Sequence, residues 1–321
     1  MKSDQGVYSE DHIGVSVVIP LLDEEESIRP LYSSLRDVLE GLGKEYEIVF
    51  IDDGSQDDSF SVLKSLHEED PQHIRVIQFR RNFGKTAALT AGFKQARGEV
   101  IVTMDADLQD DPAEIPNLLA KLDEEYDLVA AWRHKRQDPM TKILPSRIAN
   151  LAVSVMTGVR LHDLNCGFKA YRREVVEDLK LYCELHRFIP VLAHWRGYRV
   201  GEEKVVHHPR QYGHSKYGFE RLGRSFLDFS MVLFLTYYLK RPMHFFGTIG
   251  ALLFLFGFAI GLYLTGLWFL GEGIGWRPLL FLGILAMIVG VQMASIGLLG
   301  EMIRNFAYEA EEEYSIRRLL S

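Results

Sequence analysis

The segment YEIVFIDDGS, residues 46–55, decides the fold, because an apolar run of strand-forming residues ends there in two carboxylates and a turn. The same pattern recurs on both sides of it. Apolar runs predict strands at 15–19, 46–51, 74–79, 100–104 and 127–132, and stretches of helical length separate them at 24–41, 57–69, 85–97 and 112–125. This alternation predicts an α/β domain with a mostly parallel sheet covered by helices.

Polar motifs follow three of these strands. They comprise Pro20, Asp23 and Glu24 after the first strand, Asp52 and Asp53 after the second, and Asp105, Ala106 and Asp107 after the fourth. Because ligands bind at the carboxyl ends of parallel strands, we expect these residues to form one site. Asp105 and Asp107 call for a cation, since bare carboxylates are costly to bury. Oxygen ligands suit Mg²⁺ or Mn²⁺.

Two nucleotide-binding motifs are lacking. Gly84-Lys85-Thr86 resembles the end of a P-loop, but Phe79 stands where that motif requires glycine, so an ATPase loses its main support. No GxGxxG follows the first strand, so a dinucleotide cofactor is unsupported. The net charge of −8 argues against a broadly basic surface, and no nucleic-acid partner is expected.

Cysteine and histidine spacing does not predict a metal framework. Cys166 and Cys183 form no CxxC pair and no disulfide framework, which fits a reducing compartment. His207 and His208 are adjacent, and adjacent side chains on an extended chain point in opposite directions. One zinc ion rarely takes both, so zinc is not expected.

Basic side chains are concentrated in two further places. Residues 80–85, RRNFGK, form either an anion-binding entry to a helix or a solvated basic loop. Arg133 follows the fifth strand, and Arg210, Ser215 and Lys216 lie further along the chain. A diphosphate or a lipid phosphate would attract this second group.

The last quarter of the chain predicts a membrane hairpin. Residues 245–270 and 279–300 carry no charge, and the first stretch is about 39 Å long as a helix, enough to cross about 30 Å of hydrocarbon. A buried helical pair in a soluble core is the alternative. Basic residues flank both outer ends of the hairpin and the first dozen residues contain no signal peptide. We therefore expect both termini and the N-terminal domain to be cytoplasmic.

Two segments have the pattern of membrane-surface helices. Residues 145–159 show helical apolar spacing, although a core helix fits equally well. Residues 219–241 are amphipathic and lead directly into the first span. The expected organisation is a domain at 1–218, a juxtamembrane helix at 219–241, two spans within 242–303 and a tail at 304–321.

The ordered set of motifs resembles the polyisoprenyl-phosphate glycosyltransferases of glycosyltransferase family 2, the group of dolichyl-phosphate mannose synthase and bacterial undecaprenyl-phosphate glucosyltransferases. The resemblance covers nearly the whole chain. It rests on VVIP at 17–20 with Glu24-Glu25, DDGS at 52–55, RNFGK at 81–85, DADLQ at 105–109, DLNCGFK at 163–169 and GHSKY at 213–217. The chain departs from the family at Asp23, where asparagine is usual.

The resemblance implies a GT-A fold and a role for each motif. Pro20, Asp23, Glu24, Asp52, Asp53, Lys85, Asp105 and Ala106 would bind the nucleotide, and Asp105, Asp107 and Gln109 would hold the metal. Arg133, Arg210, Ser215 and Lys216 would lie around the donor diphosphate or the acceptor phosphate, and related enzymes suggest a homo-oligomer. Asp163 is either a weak general base or a residue that orients the sugar hydroxyls or a neighbouring arginine.

The implied reaction is an inverting, metal-dependent transfer of a hexose from a nucleotide sugar, with UDP-glucose as the first expectation, to undecaprenyl phosphate at the bacterial inner membrane. GDP-mannose or a UDP-amino sugar are alternative donors. A membrane-anchored, non-catalytic sugar-nucleotide-binding scaffold is an alternative of another class. A processive polysaccharide synthase shares the early motifs, but the chain lacks its QxxRW motif.

Overall fold

The structure is a computed structural model that describes residues 13–133, 158–159, 161–179, 181, 185–208, 242–271, 273 and 278–308. The chain divides into two compact units, Met1–Lys216 and Tyr217–Ser321, and each is considered by itself. The first unit contains a seven-stranded mixed sheet, and the second contains two long apolar helices.

The first half of the sheet follows the predicted alternation. In chain order its elements are β1 (Val15–Leu21), α1 (Glu25–Gly41), β2 (Tyr46–Asp52), α2 (Ser59–Glu69), β3 (Ile74–Gln78), α3 (Lys85–Gln95) and β4 (Val100–Thr103). These four strands are parallel to one another, with β1 between β2 and β4. Each predicted strand and helix in this half is confirmed to within two residues at either end.

The second half contains two strands that the sequence did not predict. After a 3₁₀ turn (Pro112–Glu114) come α4 (Ile115–Asp123), β5 (Leu128–Arg133), β6 (Lys169–Arg172), α5 (Arg173–Asp178), a second 3₁₀ turn (Leu185–Phe188), α6 (Ile189–Trp195) and β7 (Val200–Val205). The strand order is β3-β2-β1-β4-β6-β5-β7. Strand β6 is antiparallel to both β4 and β5, so it reaches the sheet from the opposite direction.

Apolar side chains cover both faces of the sheet. On one face α1, α2 and α4 pack through buried leucines and isoleucines such as Ile28, Leu35 and Leu63, and on the other α3, α5 and α6 pack around residues such as Phe93 and Tyr171. In α1, Ile28, Leu31, Leu35 and Leu39 are fully buried at a helical spacing of three to four residues. The fold therefore directs its polar residues to the edges of the sheet.

The second unit is a pair of apolar helices, α7 (Pro242–Phe269) and α8 (Pro278–Tyr308). Both are long and apolar enough to cross a membrane, and only 11% and 17% of their most apolar windows is buried. Glycines let the two backbones approach closely, since a Cβ on Gly250 would lie 2.6 Å from the carbonyl oxygen of Gly290. The exposure of these side chains disfavours a helical pair buried in a soluble core and agrees with the predicted spans.

Candidate functional site

The turn after β2 carries two buried carboxylates with different surroundings. Asp52 is fully buried, its Oδ1 accepts from the backbone N–H of Ser55 at 2.9 Å, and its Oδ2 has no hydrogen-bond partner among the described residues. Gly54 lies between these two carboxylates and the loop after β3, and its φ is +77°. A Cβ added to Gly54 would lie 2.5 Å from the carbonyl carbon of Arg81. A side chain at this position would be strained and would collide with backbone. The close approach brings the two loops into contact.

Asp53 binds the end of the loop that leads into α3. Its carboxylate accepts from the backbone N–H groups of Phe83 (2.7 Å) and Gly84 (2.9 Å). Burial raises the pKa of Asp53, the neighbouring charge of Asp52 adds to this, and the two N–H donors oppose it. Residues 80–85 form the basic loop that the sequence offered as an anion-binding entry to a helix. In the structure this loop binds an anion of the protein itself, the carboxylate of Asp53.

The end of β1 is tied to the same turn. The backbone N–H of Asp23 donates to Ser55 Oγ at 2.9 Å, and Asp23 Oδ1 accepts from the N–H of Gln56 at 2.8 Å. The N–H of Glu24 donates to Ser59 Oγ at 2.9 Å, and Pro20 pairs with Ile51 in the sheet. Pro20, Asp23 and Glu24 thus lie beside Asp52 and Asp53, as their positions at the strand ends predicted.

The Asp105–Asp107 loop follows β4 and adds a cluster of charges. Asp105 forms an ion pair with Lys85 of α3, and its carboxylate lies against the backbone of Gly167, where an added Cβ would be 2.8 Å away. Burial alone would raise the pKa of Asp105, but Lys85, Arg133 and Lys169 outweigh it and lower the pKa below its ordinary value. Asp105 is therefore an ionised carboxylate among three cations.

The rest of this loop turns toward the end of β7. Ala106 is buried, and Asp107 Oδ1 accepts from the N–H of Gln109 at 3.2 Å. The side-chain amide of Gln109 donates from Nε2 to the carbonyl oxygen of His208 at 3.5 Å. His208 Nε2 lies 3.0 Å from Asp111, and His207 Nδ1 lies 3.6 Å from Asp110.

The two histidines therefore face separate carboxylates. Among the described residues, no group of three or more His, Cys, Asp or Glu side chains is placed to hold a metal ion. These contacts join the loop after β4 to the end of β7.

Arg133 and Asp163 form a bidentate ion pair across the site. Arg133 Nε and Nη2 donate to the two carboxylate oxygens of Asp163 at 2.6 and 3.1 Å, and both side chains are largely buried. Burial opposes the charge of Arg133, but Cys166, Asp163 and Asp110 raise its pKa above the ordinary value. Of the roles left open for Asp163, this contact supports the orientation of a neighbouring arginine.

Three residues of the site were not singled out from the sequence. Lys169 is buried and donates to the carbonyl of Cys166, and burial lowers the pKa of Lys169 to about 8. His186 Nδ1 lies 2.7 Å from Thr86 Oγ1 at the start of α3, and burial together with Lys85 and Arg187 lowers the pKa of His186 to about 3. Glu202 of β7 contacts the backbone at Asp163. None of the three follows an apolar run in a way that marks it.

Several predicted residues lie outside the described part of the chain. Arg210, Ser215 and Lys216 are among them, together with residues 219–241 and, apart from Gly158 and Val159, residues 145–159. Their placement stays a prediction.

A mixed α/β sheet with its carboxylates and cations gathered at one edge is the arrangement of a GT-A glycosyltransferase. Two crystal structures of glucosyl-3-phosphoglycerate synthase from Mycobacterium tuberculosis share the fold, one with Mn²⁺ and UDP-glucose and one with Mg²⁺ and UDP. Each has a TM-score of 0.54 at 22% identity and covers 69% of this chain and 79% of the other. At this identity the likeness shows the fold alone.

The chain belongs to glycosyltransferase family 2, whose model, "Glycosyl transferase family 2", matches residues 16–180. It is 38% identical to a dodecaprenyl-phosphate galacturonate synthase of Rhizobium johnstonii over 95% of this chain and 92% of the relative. It is also 38% identical to an undecaprenyl-phosphate 4-deoxy-4-formamido-L-arabinose transferase of an Enterobacter species, over 96% of this chain and 94% of the relative. The expected family and enzyme class are thus confirmed: the protein is a glycosyltransferase.

Proposed function

We propose that this enzyme transfers a sugar from a nucleoside diphosphate sugar to a polyisoprenyl phosphate, undecaprenyl phosphate first of all, with inversion at the anomeric carbon. The observation that carries the proposal is the charge cluster at the sheet edge. Lys85, Arg133 and Lys169 surround Asp105, and Asp163 is the second carboxylate among them. Three cations gathered at one place suit a site that receives a diphosphate.

The turn after β2 supports a nucleotide as the donor. Asp52 Oδ2 is buried without a described partner, and a buried carboxylate oxygen requires a donor to offset its desolvation. A nucleobase N–H is such a donor. The turn that contains Asp52 is joined by sheet pairing and loop hydrogen bonds to the neighbouring residues Pro20, Asp23, Glu24 and Asp53. We assign these residues, with Lys85, Asp105 and Ala106, to the nucleotide.

The donor set of the loop after β4 fits a hard divalent cation. Asp105, Asp107 and Gln109 offer only oxygen ligands within five residues, which suits Mg²⁺ or Mn²⁺ with open positions for phosphate oxygens. Asp105 is paired with Lys85 in this structure, so binding of a metal by Asp105 would require this contact to rearrange. When bound, the ion would supply charge neutralisation on the leaving diphosphate.

In the proposed reaction an oxygen of the lipid phosphate attacks the anomeric carbon while the bond to the nucleoside diphosphate breaks. A phosphate monoester has a second pKa of about 6, so it is largely dianionic at neutral pH and needs no strong base. Asp163 then serves to hold Arg133, in agreement with their bidentate contact. Arg133, and by family resemblance Arg210, Ser215 and Lys216, would neutralise the phosphates.

The acceptor fixes where the reaction takes place. A polyisoprenyl chain keeps its phosphate at the headgroup level of the bilayer, and helices α7 and α8 are suited to span it. The basic flanks of these helices favour a cytoplasmic active site with both termini on the same side, in a bacterial inner membrane. A homo-oligomer is part of the same proposal.

The donor sugar is tested with a panel. Purified protein in detergent is incubated with undecaprenyl phosphate, Mg²⁺ or Mn²⁺, and in turn UDP-glucose, UDP-galacturonate, UDP-4-deoxy-4-formamido-L-arabinose and GDP-mannose. The second and third donors are included because the relatives named above carry those sugars in their names. Mass spectrometry detects the lipid product.

The expected result is one sugar-phosphate-lipid, with UDP-glucose as the first donor to try, and its loss on adding EDTA. Binding of a donor without transfer would favour the scaffold, and a long glycan would favour the processive synthase. Transfer that continues undiminished in EDTA would contradict the metal assignment.

A further inference from the structure

The end of β5 and the segment after residue 160 meet in two successive contacts. Trp132 stacks on His162, with ring centroids 3.9 Å apart and an interplanar angle of 12°. The next residues in each segment, Arg133 and Asp163, form the bidentate ion pair. The dipeptide His162-Asp163 therefore lies in register with Trp132-Arg133, and its placement sets the position of the carboxylate that holds Arg133.

Glu202 of the edge strand β7 fixes this dipeptide. Its Oε1 accepts from the backbone N–H of His162 at 2.8 Å and from the N–H of Asp163 at 3.0 Å. Its Oε2 lies 2.7 Å from Nδ1 of His162. The side chain of Glu202 is only 12% exposed, so water competes weakly for these contacts. A single carboxylate thus binds two successive amides and the side chain between them.

A continuous set of contacts leads from Glu202 to the charge cluster. Glu202 binds the backbone of Asp163, and the carboxylate of Asp163 binds Arg133. The charge of Arg133 in turn helps to lower the pKa of Asp105. Each step is a hydrogen bond or a charge interaction between described groups.

We infer that Glu202 is a positioning residue for the transfer reaction, which acts through Asp163 to hold the guanidinium of Arg133 at the phosphate-binding side of the site. The inference rests on the proposed function for what Arg133 binds. In this role Glu202 acts through Asp163 and Arg133 and needs no contact with the substrate. A small displacement of an aligned cation lowers the rate strongly, because electrostatic stabilisation of the transition state depends on geometry.

The first test replaces Glu202 and compares kcat with the donor KM. Glu202→Ala should lower kcat by about 10-fold to 100-fold. Glu202→Gln keeps Oε1 as an acceptor for both amides and should restore most of the activity. Glu203→Ala on the same strand is the matched control and should match wild type, since the Glu203 carboxylate contacts the N–H of the adjacent Lys204 instead. Equal kcat in Glu202→Ala and wild type would overturn the inference.

The second test asks whether the effect passes through Arg133. If it does, Glu202→Ala should lower kcat little further in the Arg133→Gln variant, because the effects of coupled residues are not additive. Multiplying losses in the double variant would show that Glu202 acts by another route. The thermal midpoint of each variant is measured as well, and only variants with equal midpoints are compared, which removes a general loss of folding as a cause.

A third readout does not depend on sugar transfer. Glu202→Ala should accelerate amide hydrogen exchange of the peptide that contains His162 and Asp163, while Glu203→Ala should not. If wild type transfers no sugar but exchange accelerates as expected, the proposed function fails and the structural link remains. If wild type is active and exchange is unchanged, the inference fails and the proposed function stands.

Discussion

The two ends of strand β2 carry buried carboxylates that the fold treats in opposite ways. Glu47, near the amino end, is fully buried and accepts from Ser16 Oγ (2.6 Å), the backbone N–H of Arg97 (2.6 Å), Arg97 Nε (3.0 Å) and Arg75 Nη1 (3.5 Å). Asp52, at the carboxyl end, is equally buried but keeps one oxygen without a described partner. One strand thus carries a satisfied carboxylate and an unsatisfied one.

This difference separates stability from function within a single element. The donors around Glu47 outweigh its burial and lower its pKa, so its charge is stabilised by the fold itself. The second oxygen of Asp52 requires a donor that the described residues do not provide. Substitutions at the amino end of β2 should therefore lower the stability of the fold, and substitutions at its carboxyl end should weaken substrate binding.

The strongest test of this division is the double substitution Asp105→Asn with Asp107→Asn. It removes both carboxylates of the metal loop and should lower the transfer rate by about 1,000-fold or more. The thermal midpoint should fall by a few degrees because Lys85 loses its ion pair, and the variant should stay folded at the assay temperature. Initial rates at saturating donor measure the effect, and Asp37→Asn on the exposed side of α1 serves as the control. Full activity in the double variant would show that the metal loop is misassigned.

Next in size is the effect of Glu47→Gln at the amino end. The amide keeps one acceptor but presents an NH₂ group to the donors of Arg97, so a fully buried side chain loses hydrogen bonds, at a cost of about 2 kcal/mol. In thermal unfolding this corresponds to a fall in midpoint of about 6 °C. The activity of the protein that remains folded should equal wild type at 20 °C. A loss of kcat without a fall in the midpoint would break the proposed division.

Asp52→Asn should show the reverse behaviour. The isosteric amide keeps the contact to Ser55 but replaces the acceptor that we assign to the base, so the donor KM should rise about tenfold, equivalent to about 1.4 kcal/mol. The thermal midpoint should stay constant or rise, since an unpartnered buried carboxylate is removed. Steady-state kinetics and thermal unfolding of one preparation measure both. A midpoint several degrees lower would mean that Asp52 is structural, like Glu47.

The smallest effect concerns His186, a partly buried titratable group near the start of α3. The pKa of His186 is lowered to about 3 in the folded protein, whereas a histidine exposed to water without charged neighbours has a pKa of 6.5. Below pH 6.5 the unfolded chain therefore binds a proton that the folded protein does not, and the free energy of unfolding falls as pH falls toward 3. From pH 7 to pH 5.5 the loss should be about 1 kcal/mol, or about 3 °C.

His186→Gln keeps a hydrogen-bonding partner for Thr86 and does not titrate. Its thermal midpoint should accordingly fall about 3 °C less than that of wild type between pH 7 and pH 5.5. Identical falls in the two proteins would show that His186 is protonated in the folded state. His194→Gln, on the short helix α6, is the control for a general effect of removing a histidine.

The parallel half of the sheet was predictable because its strands are apolar and buried on both faces. The burial patterns of β1 and β2 contain almost no exposed residue, and this appears in the sequence as continuous apolar runs. Strands β6 (KAYR) and β7 (VGEEKV) are short or charged. Strand β7 pairs on one side only, so its charged residues need not be buried, and no apolar run announces it.

The candidate site was predictable as a set of motifs but not as a set of contacts. The rule for strand ends placed Asp52, Asp53 and Asp105 at one edge. It could not pair Arg133 with Asp163, which lie 30 residues apart, or Glu202 with the backbone 40 residues before it. Those contacts depend on β6 and β7, whose placement comes from tertiary packing.

The position of β6 also has a consequence for the order in which the protein forms on the ribosome. Strand β5 ends at Arg133, but both of its neighbours, β6 and β7, are synthesised later, and β6 begins at Lys169. At about 5–20 residues per second, β5 waits roughly 2–7 s after synthesis without a sheet partner. Strand β1 waits only until β2 begins at Tyr46, and β2, β3 and β4 each have an earlier strand as a sheet partner. Protease digestion of arrested nascent chains ending between these strands should cut near β5 and spare the first four strands, and equal protection of both halves would contradict this order.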